Sequence, residues 1–128
     1  MKIGEASRRS GVTIDTIRFY ERRGVLSAPV RRPSGYREYG EDTIGRIRLA
    51  RRMQSLGLTL DEIIDALAAH DTGRATCESE RWRLDAVLER VDARIAELKA
   101  LRREVVSART ACETGHCTFL TAVHCQSQ

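Results

Sequence analysis

The stretch IGEASRRSGVTIDTIRFYERRGVL, residues 3–26, decides how the chain begins. Ile3 and Ala6 give a first short helix an apolar side, and Gly11 stands where a helix ends in a left-handed residue. Thr13 then offers its hydroxyl as the N-cap of a second helix. On that helix Ile14 and Ile17 turn inward, while Thr16, Arg18 and Phe19 fall on other faces. Two short helices across so tight a turn make a helix-turn-helix, whose second helix is shaped to enter a major groove.

Working outward, RRPSGYREYGED (31–42) follows. Pro33, Ser34 and Gly35 make a turn, and Tyr36 and Tyr39 flank Arg37 in a short extended run. This reads as a small β-wing offering Tyr and Arg to a phosphate backbone, with Tyr39 equally suited to the core. Asp42 is placed to cap a third helix, TIGRIRLARRMQSLG, with Ile44, Ile47, Leu49, Ala50, Met53 and Leu56 on its apolar side and Gly57 closing it. Thr59 and Glu62 in TLDE form a capping box for a fourth helix. Its inward face is Leu60, Ile63, Ile64 and Leu67, and His70 ends it as a cation suited to the dipole. LARRMQSLGLTLDEI is therefore a second helix-turn-helix, with Arg51 and Arg52 on its outer side, as solvated charge or backbone contacts.

Charge divides along the same line. Residues 1–60 hold 13 Lys/Arg against 6 Asp/Glu, a net of +7, and residues 61–128 hold 9 against 12, a net of −3. A basic head on a mildly acidic tail suits nucleic-acid binding by the head. No apolar run reaches the ~18 residues of a membrane span, and the opening residues lack a secretory signal. The expectation is a cytoplasmic protein whose four cysteines are reduced, as ligands rather than disulfides. No nucleophile–base set points to an enzyme.

The tail has no Pro or Gly from Glu78 to Thr110. Leu84, Leu88, Val91, Ile95, Leu98 and Val105 repeat as a heptad seam, imperfect where Arg102 interrupts it. Trp82 reads as the start of this stripe, packed in a dimer or on the head. A lone helix cannot bury such a seam, so a homodimer is expected. The organisation is a DNA-binding head over 1–70, a linker over 71–77, a dimerisation helix over 78–110 and a metal-binding loop and tail over 111–128.

In ACETGHCTFL (111–120), Cys112 and Cys117 bracket a short loop, and Cys77 precedes Cys112 by 35 residues. A mostly helical stretch of that length spans about 50 Å at ~1.5 Å per residue. Cys77 and Cys112 of one chain therefore cannot share an ion. Antiparallel pairing of two such helices brings the partner's Cys77 beside Cys112 and Cys117, one site at each end. Three thiolates suit zinc, cadmium, lead or mercury. Zinc calls for a fourth ligand, for which His116, His124 and Cys125 are the candidates. TFLTAVH (118–124) has the spacing of a short helix over the loop. The alternative is a reversible Cys112–Cys117 disulfide; an iron–sulfur cluster would need four closely grouped thiolates.

In their order and spacing, IGEASRRSGVTIDTIRFYERRGVL, SGYREY and ARRMQSLGLTLDEI resemble the MerR family of transcriptional regulators over roughly residues 2–69. The resemblance implies a mainly α fold: a winged helix-turn-helix head, a second helix-turn-helix, a long antiparallel coiled-coil dimerisation helix, and a short C-terminal metal-binding loop and helix. It implicates Thr16, Arg18, Tyr20, Tyr36 and Arg37 in DNA contact. For the thiol-rich branch it implies a site of Cys112, Cys117 and the partner's Cys77, and the Cys77 position points to a divalent ion (lead, mercury, cadmium or zinc) as effector. The C-x4-C loop is shorter than in mercury-responsive members. The implied function is a homodimer on double-stranded promoter DNA that, with RNA polymerase, activates heavy-metal resistance and efflux genes by distorting the DNA. A thiol redox-sensing regulator using Cys112 and Cys117 is the rival reading.

Overall fold

The structure, a computed structural model, describes residues 1–27, 30, 31, 33, 35 and 37–116. Tyr36, Cys117, His124, Cys125 and the short helix expected over 118–124 lie outside the described residues. Seven elements follow in order: α1 (Ile3–Ser10), α2 (Ile14–Arg23), β1 (Val30–Arg31), β2 (Arg37–Glu38), α3 (Glu41–Ser55), α4 (Leu60–Asp71) and α5 (Cys77–Glu113). They form two compact units, Met1–Val87 and the chain from Leu88 onward.

In the first unit, helix ends follow local chemistry. Gly11 closes α1 and Gly24 closes α2, both left-handed, at φ 77° and 81°. The Thr13 hydroxyl accepts the Thr16 amide at 3.1 Å. Thr59 and Glu62 exchange both bonds of a capping box at 2.8 and 3.2 Å. The third helix departs from expectation: its N-cap is Gly40, with no side-chain bond, and Asp42 lies inside the first turn. An acidic residue there still favours the positive end of the helix. β1 and β2 pair antiparallel, with Val30 opposite Glu38 and Arg31 opposite Arg37.

Ile17, Val25, Ile44, Ile47 and Leu67 are the largest fully buried side chains, drawn from α2, α3, α4 and the segment after α2. Each contributes roughly 1.5–3 kcal/mol by leaving water. Around this core, α3 arginines tie the elements together. Arg48 and Arg51 donate to the carbonyls of Arg9 and Gly11 at 3.1 and 3.3 Å, satisfying the end of α1. Arg51 stays exposed while it makes this bond. Arg46 holds Asp71 through both carboxylate oxygens at 2.6 and 2.9 Å, keeping that carboxyl below its ordinary range. Glu41 is lowered likewise by its two-pronged pairing with Arg9.

α5 is a single helix of 37 residues. Thr76 and Ser79 cap its start by exchanging hydrogen bonds at 2.9 and 3.0 Å, so it opens on Cys77 and runs to Glu113, wider than the expected 78–110. Val87 joins the buried core of the first unit. Trp82 does not begin the seam. Leu84 follows it by two, and residues two apart on a helix do not share a face. Trp82 is half-exposed, with the Arg83 guanidinium 4.4 Å from its ring centre, beside Asp61, Glu62 and Asp65 of α4. In the second unit Leu88, Val91, Ile95, Leu98 and Val105 all lie exposed, between 43 and 57 %.

Candidate nucleic-acid interface and thiol positions

α2 is positioned by its inward face. Ile17 is fully buried, and Tyr20, three residues on, is buried with it at 6 % exposure. One helical step from Ile17, the Tyr20 ring joins the core and helps to seat α2. Arg18 is exposed and Thr16 half-buried, its hydroxyl 2.9 Å from that of Thr13. Phe19 is also partly exposed, with the guanidinium groups of Arg22 and Arg23 each 5.9 Å from its ring centre.

The wing is joined to α2 through Glu21. Its Oε2 accepts from the Arg37 guanidinium at 2.7 Å and its Oε1 from the Tyr39 hydroxyl at 2.6 Å. Tyr39 is buried at 3 % exposure, so the core role is the one it takes. Its phenol is pushed above its ordinary value, by burial first and by the bond to Glu21 second. On the other side, the Met1 amine lies 2.9 Å from a Glu38 carboxylate oxygen and 2.7 Å from the Tyr39 carbonyl.

Arg18 and Arg37 line one open concavity of about 1020 Å³, together with Lys2, Arg8 and the carboxylates Glu5 and Glu38. Four cations against two carboxylates make its wall positive, as a phosphate backbone requires. Lys2 and Arg8 line it from outside α2 and the wing. In the sequence they stand six residues apart, Lys2 just before α1 and Arg8 within it.

The thiols stand at the two ends of α5. Cys77 is its first residue and Cys112 lies in its last turn; both are exposed. Cys112 is thus helical, and the loop begins after Glu113, where Gly115 turns left-handed at φ 82° and its amide meets the Cys112 carbonyl at 3.2 Å. The His116 amide returns to the Ala111 carbonyl at 2.7 Å, and its Nδ1 lies 3.3 Å from the Thr114 hydroxyl. Among the described residues, no three Cys, His, Asp or Glu side chains converge on a metal position, and no helix is long and apolar enough to cross a membrane.

Comparison with known proteins bears on both regions. The model of the MerR HTH family regulatory proteins matches residues 1–70, and that described as MerR, DNA binding, matches residues 44–108. The mercuric resistance operon regulatory protein of Bacillus cereus is 35 % identical over 111 residues, covering 87 % of this chain and 84 % of that one. The regulator ZntR of Escherichia coli K12 is 34 % identical, covering 95 % and 91 %. The crystal structure of the transcription regulator PbrR691 from Ralstonia metallidurans CH34 in complex with lead(II) superposes with a TM-score of 0.80 at 34 % identity, covering 88 % of each chain.

Proposed function

Because the chain belongs to the MerR family of regulators, we propose that it is a metal-responsive transcriptional activator that works as a homodimer on promoter DNA. Arg18 and Thr16 of α2 address the major groove, and Arg37, with Tyr36, addresses the backbone. Lys2 and Arg8 add sequence-independent attraction to phosphate.

The observation that carries the sensing role is the placing of Cys77 and Cys112 at opposite ends of one 37-residue helix with an exposed apolar seam. The seam asks for a second copy, and antiparallel pairing lets the partner's Cys77 complete a set with Cys112 and Cys117. That donor set fits a divalent thiophilic ion, and relatives named for mercury resistance and solved with lead(II) support this class of effector. The ion need only bind the activating arrangement of the dimer more tightly than the repressing one. Distorting promoter DNA costs on the order of several kcal/mol, within the reach of a multi-thiolate site. RNA polymerase then reads the distorted promoter.

The test is a promoter-reporter assay with zinc, cadmium, lead and mercury on Cys77→Ser, Cys112→Ser and Cys117→Ser. Each variant is expected to lose metal activation while binding operator DNA within about twofold of the unaltered protein, since none of the three cysteines is among the residues assigned to DNA and a thiol-to-hydroxyl change outside the core costs little. Metal activation retained by all three would end the assignment.

A further inference from the structure

The wing is too small to orient itself. Its strands are two residues each, and a two-stranded hairpin is marginal alone. One carboxylate on α2 reaches it twice. Glu21 holds Arg37 with one oxygen and Tyr39 with the other, at 2.7 and 2.6 Å. Its side chain is only 10 % exposed, against 38 % for Arg37. A carboxylate so enclosed needs both donors to offset lost hydration. One partner is anchored in the core and the other lines the concavity, so Glu21 couples the core to the wing's exposed cation.

The chemistry of that cation matters. A guanidinium carries five N–H donors in a rigid plane. Glu21 engages Nη1, which tethers one end of the guanidinium and leaves other donors for a phosphate. Arg18 stands three residues before Glu21 on the same helix and lines the same concavity. The groove-reading and backbone-reading arginines are thus referred to one helix.

We propose that Glu21 is the positioning residue of the DNA interface: by holding Arg37 and Tyr39 together it sets the angle at which the wing's guanidinium meets a phosphate while Arg18 meets the groove. The inference rests on the reading of Arg37 as a DNA contact. Without Glu21, Arg37 still attracts DNA but no longer registers it, because phosphate contacts carry information only through position. Glu21 therefore contributes discrimination more than attraction.

The test compares the unaltered protein with Glu21→Gln, Arg37→Ala and the double variant. The probes are an operator duplex selected from a random-sequence pool by the unaltered protein and a shuffled duplex of the same composition, each titrated over a range of salt. Glu21→Gln is expected to lower the operator-to-shuffled affinity ratio roughly tenfold, a coupling typical of residues in contact. The salt slope on the operator is expected to stay as it is, because Arg37 keeps its charge and its attraction to phosphate. In the Arg37→Ala background it changes neither quantity. Arg37→Lys, which keeps Glu21 and the positive charge but loses the planar fork, keeps the salt slope and lowers the ratio to the Glu21→Gln level; this arm stands if Glu21→Gln fails to fold. An equal drop from Glu21→Gln with and without Arg37 overturns the proposal and leaves Arg37 as a contact. Arg37→Ala binding as the unaltered protein does removes the reading of Arg37 and the proposal with it.

Discussion

Tyr39 makes the head sensitive to alkali. Its phenol is buried, donates to Glu21 and is held above the ordinary tyrosine value near 10. A group raised in the folded state adds stability that is fully present below its unfolded pKa and is lost as pH rises through the folded one. The head is therefore expected to loosen above about pH 10, with one of the three tyrosines ionising later than an ordinary phenol. Phenolate absorbance followed with circular dichroism checks this, and Tyr39→Phe should remove the late step. Coincident, ordinary ionisation of all three tyrosines with the fold unchanged would contradict it. The same residue marks what a sequence can and cannot disclose. Thr13, Thr59 and Glu62 are legible as caps because each bonds within three residues. Glu21 with Arg37, or Arg46 with Asp71, lie 16 and 25 residues apart, and only the folded chain introduces them. Tyr20 shows the other limit: a motif names a position, but a helical step of three from Ile17 decides that its ring is buried.

Among the elements, α5 decides the most. Its seam is legible because steps of three and four recur from Leu84 to Val105, and those residues are exposed as an unpartnered seam should be. The misreadings at its edges have local causes. Thr76 and Ser79 supply a capping pair that starts the helix at Cys77, and Trp82 breaks the spacing by one residue. Placing a charge in the seam should separate the protomers. Val91→Asp buries an unpaired carboxylate in each copy, a cost of roughly 3–5 kcal/mol for a fully enclosed charge. Sedimentation at micromolar concentration is expected to give a monomer that keeps its helical head. A dimer of undiminished affinity would show that the seam is not the interface.

For the whole molecule, the charge division and the thiol positions state one design: a basic head of net +7 over residues 1–60 that binds DNA, and a helix that carries sulfur at each end. The sensor exists only if sulfur from two chains meets. Mixing two variants asks this directly: one chain carries Cys77→Ser, the other carries both Cys112→Ser and Cys117→Ser, and the purified heterodimer is titrated with lead(II) or mercury(II) while thiolate-to-metal absorption is followed. The account predicts one complete site per heterodimer, with the full three-sulfur spectrum, and none in either parent homodimer. A heterodimer that binds no better than its parents would contradict a site shared between subunits.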